Sequence, residues 1–215
     1  MKTKEAVILL HGLGLSSYTL LYIEHALAAM GYKTINVDYP SRGYGINDLF
    51  DIVSTKIYQE NDTLNEYSSV HFVGHSLGGL LARMLVLDYK NSNLGMCVVL
   101  GSPNNGSSLA KLLSSWSLIR GHFGPALFDI CTNSEFIDSL QSVPAKYALI
   151  AGTRSKFTPF GRWFKDINDG TVLVSEMIPD GLDENDVYRF DVSHSSMLFS
   201  VDVKNKVIEL LCDDK

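Results

Sequence analysis

Hydrophobic residues along the chain fall into six short apolar runs, separated by longer segments in which apolar residues recur three and four positions apart. The short runs predict strands, and the longer segments predict helices. The predicted strands are residues 6–10, 33–37, 69–73, 96–100, 146–151 and 187–190, and the predicted helices are residues 18–30, 47–60, 77–89 and 196–211. This alternation predicts an α/β fold, with a mostly parallel sheet of about six strands and helices on both faces.

One connection is much longer than the others. Residues 102–144 separate the fourth and fifth predicted strands, whereas ordinary connections have about four to six residues. We expect a single domain over residues 1–215, with residues 102–144 as a helical cap insertion. Within it, Leu109, Leu112, Leu113 and Trp116 recur on one face of a helix. That face either packs on the core or lines an acyl pocket, and in the second case Leu112, Leu113 and Trp116 are the expected substrate-binding residues.

Composition excludes several classes of protein. A chain of 215 residues that is 46% hydrophobic and 20% charged can bury a large core, so it is not disordered. Its net charge of -6 offers no general attraction to nucleic acid. No apolar run approaches the length of a membrane span, and no signal-peptide pattern is recognised, which predicts a cytoplasmic protein. The three cysteines are widely spaced and predict reduced thiols.

The clearest chemical motif is Gly74-His75-Ser76-Leu77-Gly78. It follows a predicted strand and opens a predicted helix, the context of a nucleophile elbow. A serine at the tip of that turn projects above the sheet, and the glycines remove side chains where strand and helix approach closely. The motif predicts Ser76 as a nucleophile, although a tight turn whose serine only caps the helix would have the same sequence.

A serine nucleophile needs a base, and the base needs an orienting carboxylate. On this type of fold the expected order is Ser, Asp or Glu, then His. His194 alone among the six histidines follows Ser76 and lies just beyond a late strand, so it is the predicted base. Asp169, in a turn before Gly170, is the predicted acid. The other acidic candidates are Asp166, Asp180, Asp183 and Asp191.

Stabilisation of an oxyanion needs backbone N–H donors. The sequence His11-Gly12-Leu13-Gly14 follows the first predicted strand, which predicts the N–H groups of Leu13 and Leu77 as the two donors. A phosphate-binding loop is the alternative, but the lysine and hydroxyl residue of a P-loop are missing. His71 and His75 have a spacing that suggests a metal pair, but a strand and a turn would not present them as a helix does, so no metal site is predicted.

Together, the HGLG, GHSLGG and NDGTV segments and the late His194 resemble the α/β-hydrolase superfamily, and most of all its lipase and esterase branch. The resemblance covers essentially the whole chain, and residues 101–107 are also similar to the stretch that precedes the cap in bacterial lipases. It implies an α/β-hydrolase fold and an esterase triad of Ser76, Asp169 and His194. The calcium site and disulfide of many secreted lipases have no match here, so neither is carried over.

These residues predict a serine hydrolase that cleaves carboxylic esters, including lipid esters, through an acyl-enzyme and without a cofactor. A thioesterase or amidase with the same triad is one alternative, and a non-catalytic binding protein on a hydrolase fold is another. A run of basic and aromatic residues in 154–165 has two interpretations. It fits a solvated loop with its aromatic side chains folded inward, or a peripheral contact with a membrane. The run consists of Arg154, Lys156, Phe157, Phe160, Arg162, Trp163, Phe164 and Lys165.

Overall fold

Six parallel strands form one sheet in the computed structural model, in the order β2-β1-β3-β4-β5-β6. The structure describes residues 4–59, 64–140, 143–155 and 164–212. The strands are β1 Glu5–Leu10, β2 Lys33–Val37, β3 Ser69–His75, β4 Leu94–Leu100, β5 Tyr147–Gly152 and β6 Val187–Phe190. The predicted parallel α/β sheet is confirmed.

Helices cover both faces of this sheet. In the part of the chain that the structure describes, those outside residues 102–144 include α1 Leu21–Ala29, α2 Ile46–Tyr58, α3 Leu77–Asp88, α8 Val174–Met177 and α9 Val201–Cys212. Alternate side chains of β1 enter different cores, because successive residues of a strand point to opposite faces. Ile8 and Leu10 belong to the core beneath α2 and α3, whereas Val7 and Leu9 belong to the core beneath α1 and α9. This two-sided burial explains why β1 is apolar without alternation.

The predicted C-terminal helix is divided in the structure. A 3-10 turn, Ser196–Phe199, is followed by Ser200 in an extended conformation with ψ of 130°, and α9 begins at Val201. Ser200 Oγ accepts a hydrogen bond from the N–H of Val203 at 3.4 Å, so the serine caps the new helix. The first predicted helix likewise begins with a 3-10 turn, Ser17–Leu20.

The described residues of the long insertion between β4 and β5 form four short helices: α4 Ser108–Ser114, α5 Ser117–Phe123, α6 Ala126–Asp129 and α7 Glu135–Ser139. Helix α4 begins where the Ser107 side chain accepts a hydrogen bond from the N–H of Ala110 at 3.1 Å. It ends at Ser114, so Trp116 lies beyond the helix that the sequence pattern predicts. The role of this insertion as a cap or lid stays a prediction.

The strand order sets the place of a site. The chain passes from β1 to β2 on one side and then returns to β3 on the other, which is a switch point in the sheet. Loops that leave the carboxyl ends of β1 and β3 diverge there and leave a crevice. The loop after β1 contains Leu13, and the turn after β3 contains Ser76.

Candidate active site

Ser76 occupies a strained turn between β3 and α3. Its φ is 54°, a left-handed value that is uncommon for a residue with a side chain. The flanking glycines make the turn feasible. A Cβ at Gly74 would lie 2.4 Å from the carbonyl oxygen of Gly78, and a Cβ at Gly78 would lie 2.2 Å from that of Leu10. Strand and helix therefore approach so closely that only glycine fits at either position.

Asp169 and His194 meet in the interior beside this turn. The distance between Asp169 Oδ2 and His194 Nδ1 is 2.6 Å, and the N–H of His194 also donates to the carbonyl oxygen of Asp169 at 2.8 Å. The other carboxylate oxygen, Oδ1, accepts from the N–H groups of Thr171 and Val172 at 2.9 and 2.8 Å. Asp169 is fully buried, so these contacts replace the water that a charged carboxylate needs.

The turn that holds Asp169 has the sharpness that its sequence predicts. Gly170 has a φ of 94°, and the N–H of Asp169 donates to the carbonyl oxygen of Val172 at 3.1 Å. The alternative carboxylates Asp166, Asp180, Asp183 and Asp191 are all exposed, and Asp191 pairs with Arg154 at 2.9 Å. The geometry favours Asp169 as the partner of His194.

The loop after β1 contributes the first predicted oxyanion donor. Leu13 lies in the wall of the cavity that also contains Ser76 and His194. His11 anchors the start of this loop, because its ring stacks on Tyr39 with centroids 4.1 Å apart and its Nδ1 lies 3.0 Å from the carbonyl oxygen of Gly12. Burial lowers the pKa of His11, which favours the neutral ring there.

The second predicted donor, Leu77, is the first residue of α3 and is fully buried. The N–H groups of the first turn of a helix have no carbonyl partner four residues back, and they carry the positive end of the helix dipole. A negative oxygen above Ser76 would therefore face the N-terminus of α3. This arrangement is suited to stabilising an oxyanion.

A cavity of about 300 Å³ adjoins Ser76 and His194. Side chains of the insertion form much of its apolar wall: Leu109, Leu113, Phe123, Leu127 and Ile130. Of the three predicted substrate-binding residues, Leu113 lines the cavity. Leu112 and Trp116 are not among its lining residues, and Trp116 is 53% exposed. Sequence reasoning missed Thr171 and Val172, which line the cavity and directly follow the Asp169-Gly170 turn.

His75 is a buried residue of the site whose contact the sequence does not predict. Its Nε2 lies 3.0 Å from the carbonyl oxygen of His194, to which it donates, and the two rings lie 4.7 Å apart. Complete burial, followed by the proximity of His194, lowers the pKa of His75 well below its ordinary value. A neutral His75 thus ties the nucleophile turn to the backbone of the predicted base.

Other predictions fall elsewhere on the chain. No group of three or more potential metal ligands occurs within residues 4–59, 64–140, 143–155 and 164–212, and no helix in these ranges is long and apolar enough to cross a membrane. His71 Nδ1 instead accepts a hydrogen bond from the N–H of Met96 at 3.0 Å. In the basic and aromatic run, Lys156, Phe157, Phe160, Arg162 and Trp163 lie outside the described residues.

Solved structures of lipases and esterases share this architecture. The mature lipase BlEst2 of Bacillus licheniformis superposes with a TM-score of 0.72 at 19% identity, over 99% of this chain and 92% of that one. The metagenomic carboxyl esterase MGS0156 gives 0.67 at 20% identity, over 92% and 66% of the two chains. A monoacylglycerol lipase from Paleococcus ferrophilus gives 0.62 at 17% identity, over 98% and 95%.

At these identities the likeness establishes the fold. A comparison with curated proteins found no match. A family model described as the alpha/beta hydrolase family matches residues 7–201, which span the sheet from β1 to the start of α9. The chain belongs to the alpha/beta hydrolase family.

Proposed function

We propose that this protein is a serine hydrolase that cleaves carboxylic esters through an acyl-enzyme, with Ser76 as nucleophile, His194 as base and Asp169 as the acid that orients it. One observation carries the proposal: the buried carboxylate of Asp169 lies 2.6 Å from the imidazole of His194. His194 in turn lines the same cavity as Ser76, which occupies a strained turn. An aspartate, a histidine and a serine in this relation activate a hydroxyl group.

Acylation follows from the contacts of the imidazole. Asp169 Oδ2 accepts the Nδ1 proton of His194, which leaves Nε2 as the proton acceptor. Ser76 Oγ attacks the ester carbonyl carbon while its proton passes to His194 Nε2. The resulting oxyanion accepts hydrogen bonds from the N–H groups of Leu13 and Leu77. His194 then gives its proton to the leaving alcohol oxygen as the carbon–oxygen bond breaks, and the acyl group remains on Ser76.

Deacylation repeats these steps with water. His194 takes a proton from water, whose oxygen attacks the acyl carbonyl carbon, and it returns that proton to Ser76 Oγ as the acid departs. Asp169 stays ionised throughout and stabilises the imidazolium. The two backbone N–H donors at Asp169 Oδ1 hold the carboxylate so that Oδ2 faces the ring in both half-reactions.

The cavity favours an ester with an apolar acyl chain. Its volume of about 300 Å³ lies at the small end of the range typical of ligand sites, about 300–1,000 Å³. That volume suits a medium-length acyl chain against the leucine and phenylalanine side chains of the insertion. The names of the similar structures, a lipase, a carboxyl esterase and a monoacylglycerol lipase, support an ester substrate and a role in lipid metabolism.

Steady-state hydrolysis of p-nitrophenyl esters with two to sixteen carbons tests the proposal. We expect turnover by the wild type, best at medium chain lengths, and a loss of at least about 10³-fold in Ser76→Ala. Ser139→Ala is the matched control, because Ser139 is an exposed serine of the insertion whose hydroxyl donates to the nearby carbonyl oxygen of Phe136. It should retain wild-type turnover and wild-type thermal stability.

Thioesters of matched chain length form a second arm. A higher kcat/KM for thioesters than for oxygen esters would replace the esterase with a thioesterase on the same residues. Equal activity of Ser76→Ala and wild type would contradict the assigned nucleophile. Lack of turnover on every ester and thioester by a folded wild type would favour a non-catalytic hydrolase-fold protein.

A further inference from the structure

The loop that contains the predicted oxyanion donor Leu13 is held by side-chain hydrogen bonds to the following residue, Gly14. The N–H of Gly14 donates to Ser41 Oγ at 2.9 Å, and the carbonyl oxygen of Gly14 accepts from Arg42 Nη2 at 3.0 Å. Ser41 is only 3% exposed and Gly14 is half-buried, so the first of these contacts is partly shielded from solvent. Both polar groups of one residue are thus held by two consecutive side chains that lie 27 and 28 positions away in sequence.

These two hydrogen bonds fix the loop at a residue whose own backbone is flexible. Gly14 has a φ of 73°, a conformation that glycine adopts freely and that its own backbone does not enforce. The N–H of Gly14 belongs to the peptide group directly after Leu13, so fixing it restricts rotation next to the N–H that would meet the oxyanion. Donors stabilise an oxyanion best when they are held in place before the reaction.

Arg42 and the loop at Gly14 both pack against the insertion. A Cβ at Gly124 would lie 1.8 Å from the carbonyl oxygen of Arg42, so the chain between α5 and α6 lies directly on the backbone of Arg42. The ring of Phe123 lies 3.3 Å from the position of a Cβ on Gly14. Phe123 also lines the active-site cavity, where a substrate would contact it.

Two hydrogen bonds extend this contact along residues 44–46. The N–H of Ala126, in α6, donates to the carbonyl oxygen of Tyr44 at 3.1 Å. At the other end of α6, Asp129 Oδ2 accepts from the N–H of Ile46 at 2.7 Å and so caps α2. Residues 41–46 therefore connect the insertion with the loop of Leu13 by direct contacts on both sides.

We propose that Ser41 and Arg42 are positioning residues that hold the oxyanion loop, and that residues 41–46 couple the geometry of this loop to the insertion that forms the acyl pocket. The inference rests on the proposed esterase function and names residues that act through the loop without touching substrate. If the insertion moved away from residues 41–46, the N–H group of Leu13 would be held less rigidly. A correctly filled pocket would keep it in place.

Kinetics of Ser41→Ala and Arg42→Ala test the positioning role. Removal of one oxyanion donor costs about 10²–10³-fold in kcat, and a misplaced donor costs a part of that, so we expect a fall of about 10-fold or more in kcat. KM should stay within about threefold, because the loss is in the transition state. Ser68→Ala and Lys90→Ala, two exposed positions outside this region, are the controls and should retain wild-type kcat.

Conservative variants separate positioning from folding. Ser41→Thr keeps the hydroxyl acceptor and adds a methyl group at a position that lines a cavity of about 250 Å³. Arg42→Lys keeps a cationic donor for the Gly14 carbonyl oxygen. Both should recover most of the lost kcat, while all four variants should unfold cooperatively at temperatures within a few degrees of the wild type. Wild-type stability of Ser41→Thr and Arg42→Lys without recovery of kcat would overturn the positioning role.

Asp129→Ala tests the coupling. It removes the acceptor for the N–H of Ile46 and should lower kcat in the same direction as Arg42→Ala, whereas Asp129→Asn keeps an acceptor oxygen and should restore kcat. The double variant Arg42→Ala/Asp129→Ala should show a smaller fold-loss of kcat than the product of the two single fold-losses, since both changes act on one loop. Asp138→Ala, at an exposed position of α7, is the matched control.

The outcomes distinguish this proposal from the proposed function. An active wild type with unchanged kcat in Ser41→Ala and Arg42→Ala refutes the positioning role alone. A rise in KM at constant kcat also overturns it, because the residues would then act in substrate binding. A wild type that neither hydrolyses an ester nor reacts with a fluorophosphonate refutes the esterase itself, and the positioning role with it.

Discussion

Replacing Asp169 by asparagine makes the sharpest prediction, because the structure dictates which way the new amide must face. The Oδ1 position accepts two backbone N–H groups, from Thr171 and Val172. An NH₂ group placed there would leave both donors unpaired, at a cost of about 1–3 kcal/mol for the buried N–H of Val172 alone. The amide oxygen must therefore occupy that position, and the NH₂ must face His194 Nδ1, 2.6 Å from the present carboxylate oxygen.

An amide that donates to Nδ1 forces the proton of His194 onto Nε2. That nitrogen then cannot accept the proton of Ser76, so the base is in the wrong tautomer while every backbone contact is retained. We expect kcat to fall by about 10⁴-fold, equivalent to about 5.5 kcal/mol of activation free energy. The melting temperature should change far less than this loss of rate implies.

The assay is single-turnover release of p-nitrophenol from a medium-chain ester, which measures acylation directly. Asp166→Asn is the matched control, since Asp166 is exposed and lies three residues away in the same turn region. It should retain kcat within about twofold. A folded Asp169→Asn that keeps more than about a tenth of the wild-type acylation rate would refute the assigned role of Asp169.

Three further predictions address packing, pH and chain length. Gly78→Ala should destabilise the fold by at least about 3 kcal/mol in urea unfolding, because its Cβ would lie 2.2 Å from a main-chain oxygen of β1. Gly121→Ala, in a helix where no described residue outside the helix backbone lies within 4 Å of the new Cβ, should stabilise the fold by about 0.5–1 kcal/mol, and equal effects of the two changes would contradict the close-approach argument. Burial lowers the folded-state pKa of His75, so the unfolded chain takes up the proton first and stability falls as the pH drops below about 6.5. His75→Gln should reduce the loss of unfolding free energy between pH 6.5 and 5.5 by about 1 kcal/mol. If His25→Gln, at an exposed position, changes the pH dependence of stability equally, His75 is not the source of that dependence. Leu113→Trp should fill part of the cavity and shift the best p-nitrophenyl ester to shorter acyl chains, and an unchanged profile would place the acyl chain elsewhere.

The centre of the sheet is predictable from the sequence because β1, β3, β4 and β5 are short, mostly apolar runs that are buried on both faces. The prediction for residues 96–100 misses the first two residues of β4, Leu94 and Gly95, because Gly95 separates Leu94 from the apolar run that follows. The break at Ser200 is not predictable from composition, because no glycine or proline marks it. There, a serine caps a new helix, a role that becomes visible only when the hydrogen bond to Val203 is known.

The candidate site divides in a similar way. Ser76 and the turn at Asp169 are marked by local sequence, since glycines must stand where a strand meets a helix and where a chain reverses. The distances of Ser76 and Asp169 from His194 depend on the order of the strands in the sheet. The order of the motifs along the chain predicts that strand order only through the resemblance to a known family. The contacts of Ser41 and Arg42 with Gly14 join positions far apart in sequence, and neither residue type is unusual in a loop. Short-range patterns therefore carry no signal for them.

Trapping the acyl group during turnover tests the central claim most directly. The wild type, mixed with a medium-chain p-nitrophenyl ester and quenched in acid within the first turnovers, can be digested and mapped by mass spectrometry. The proposed function predicts that the mass of one acyl group appears on the peptide containing Ser76, and that Ser76→Ala shows no adduct. An adduct on another residue, or ester hydrolysis that survives in Ser76→Ala, would contradict it.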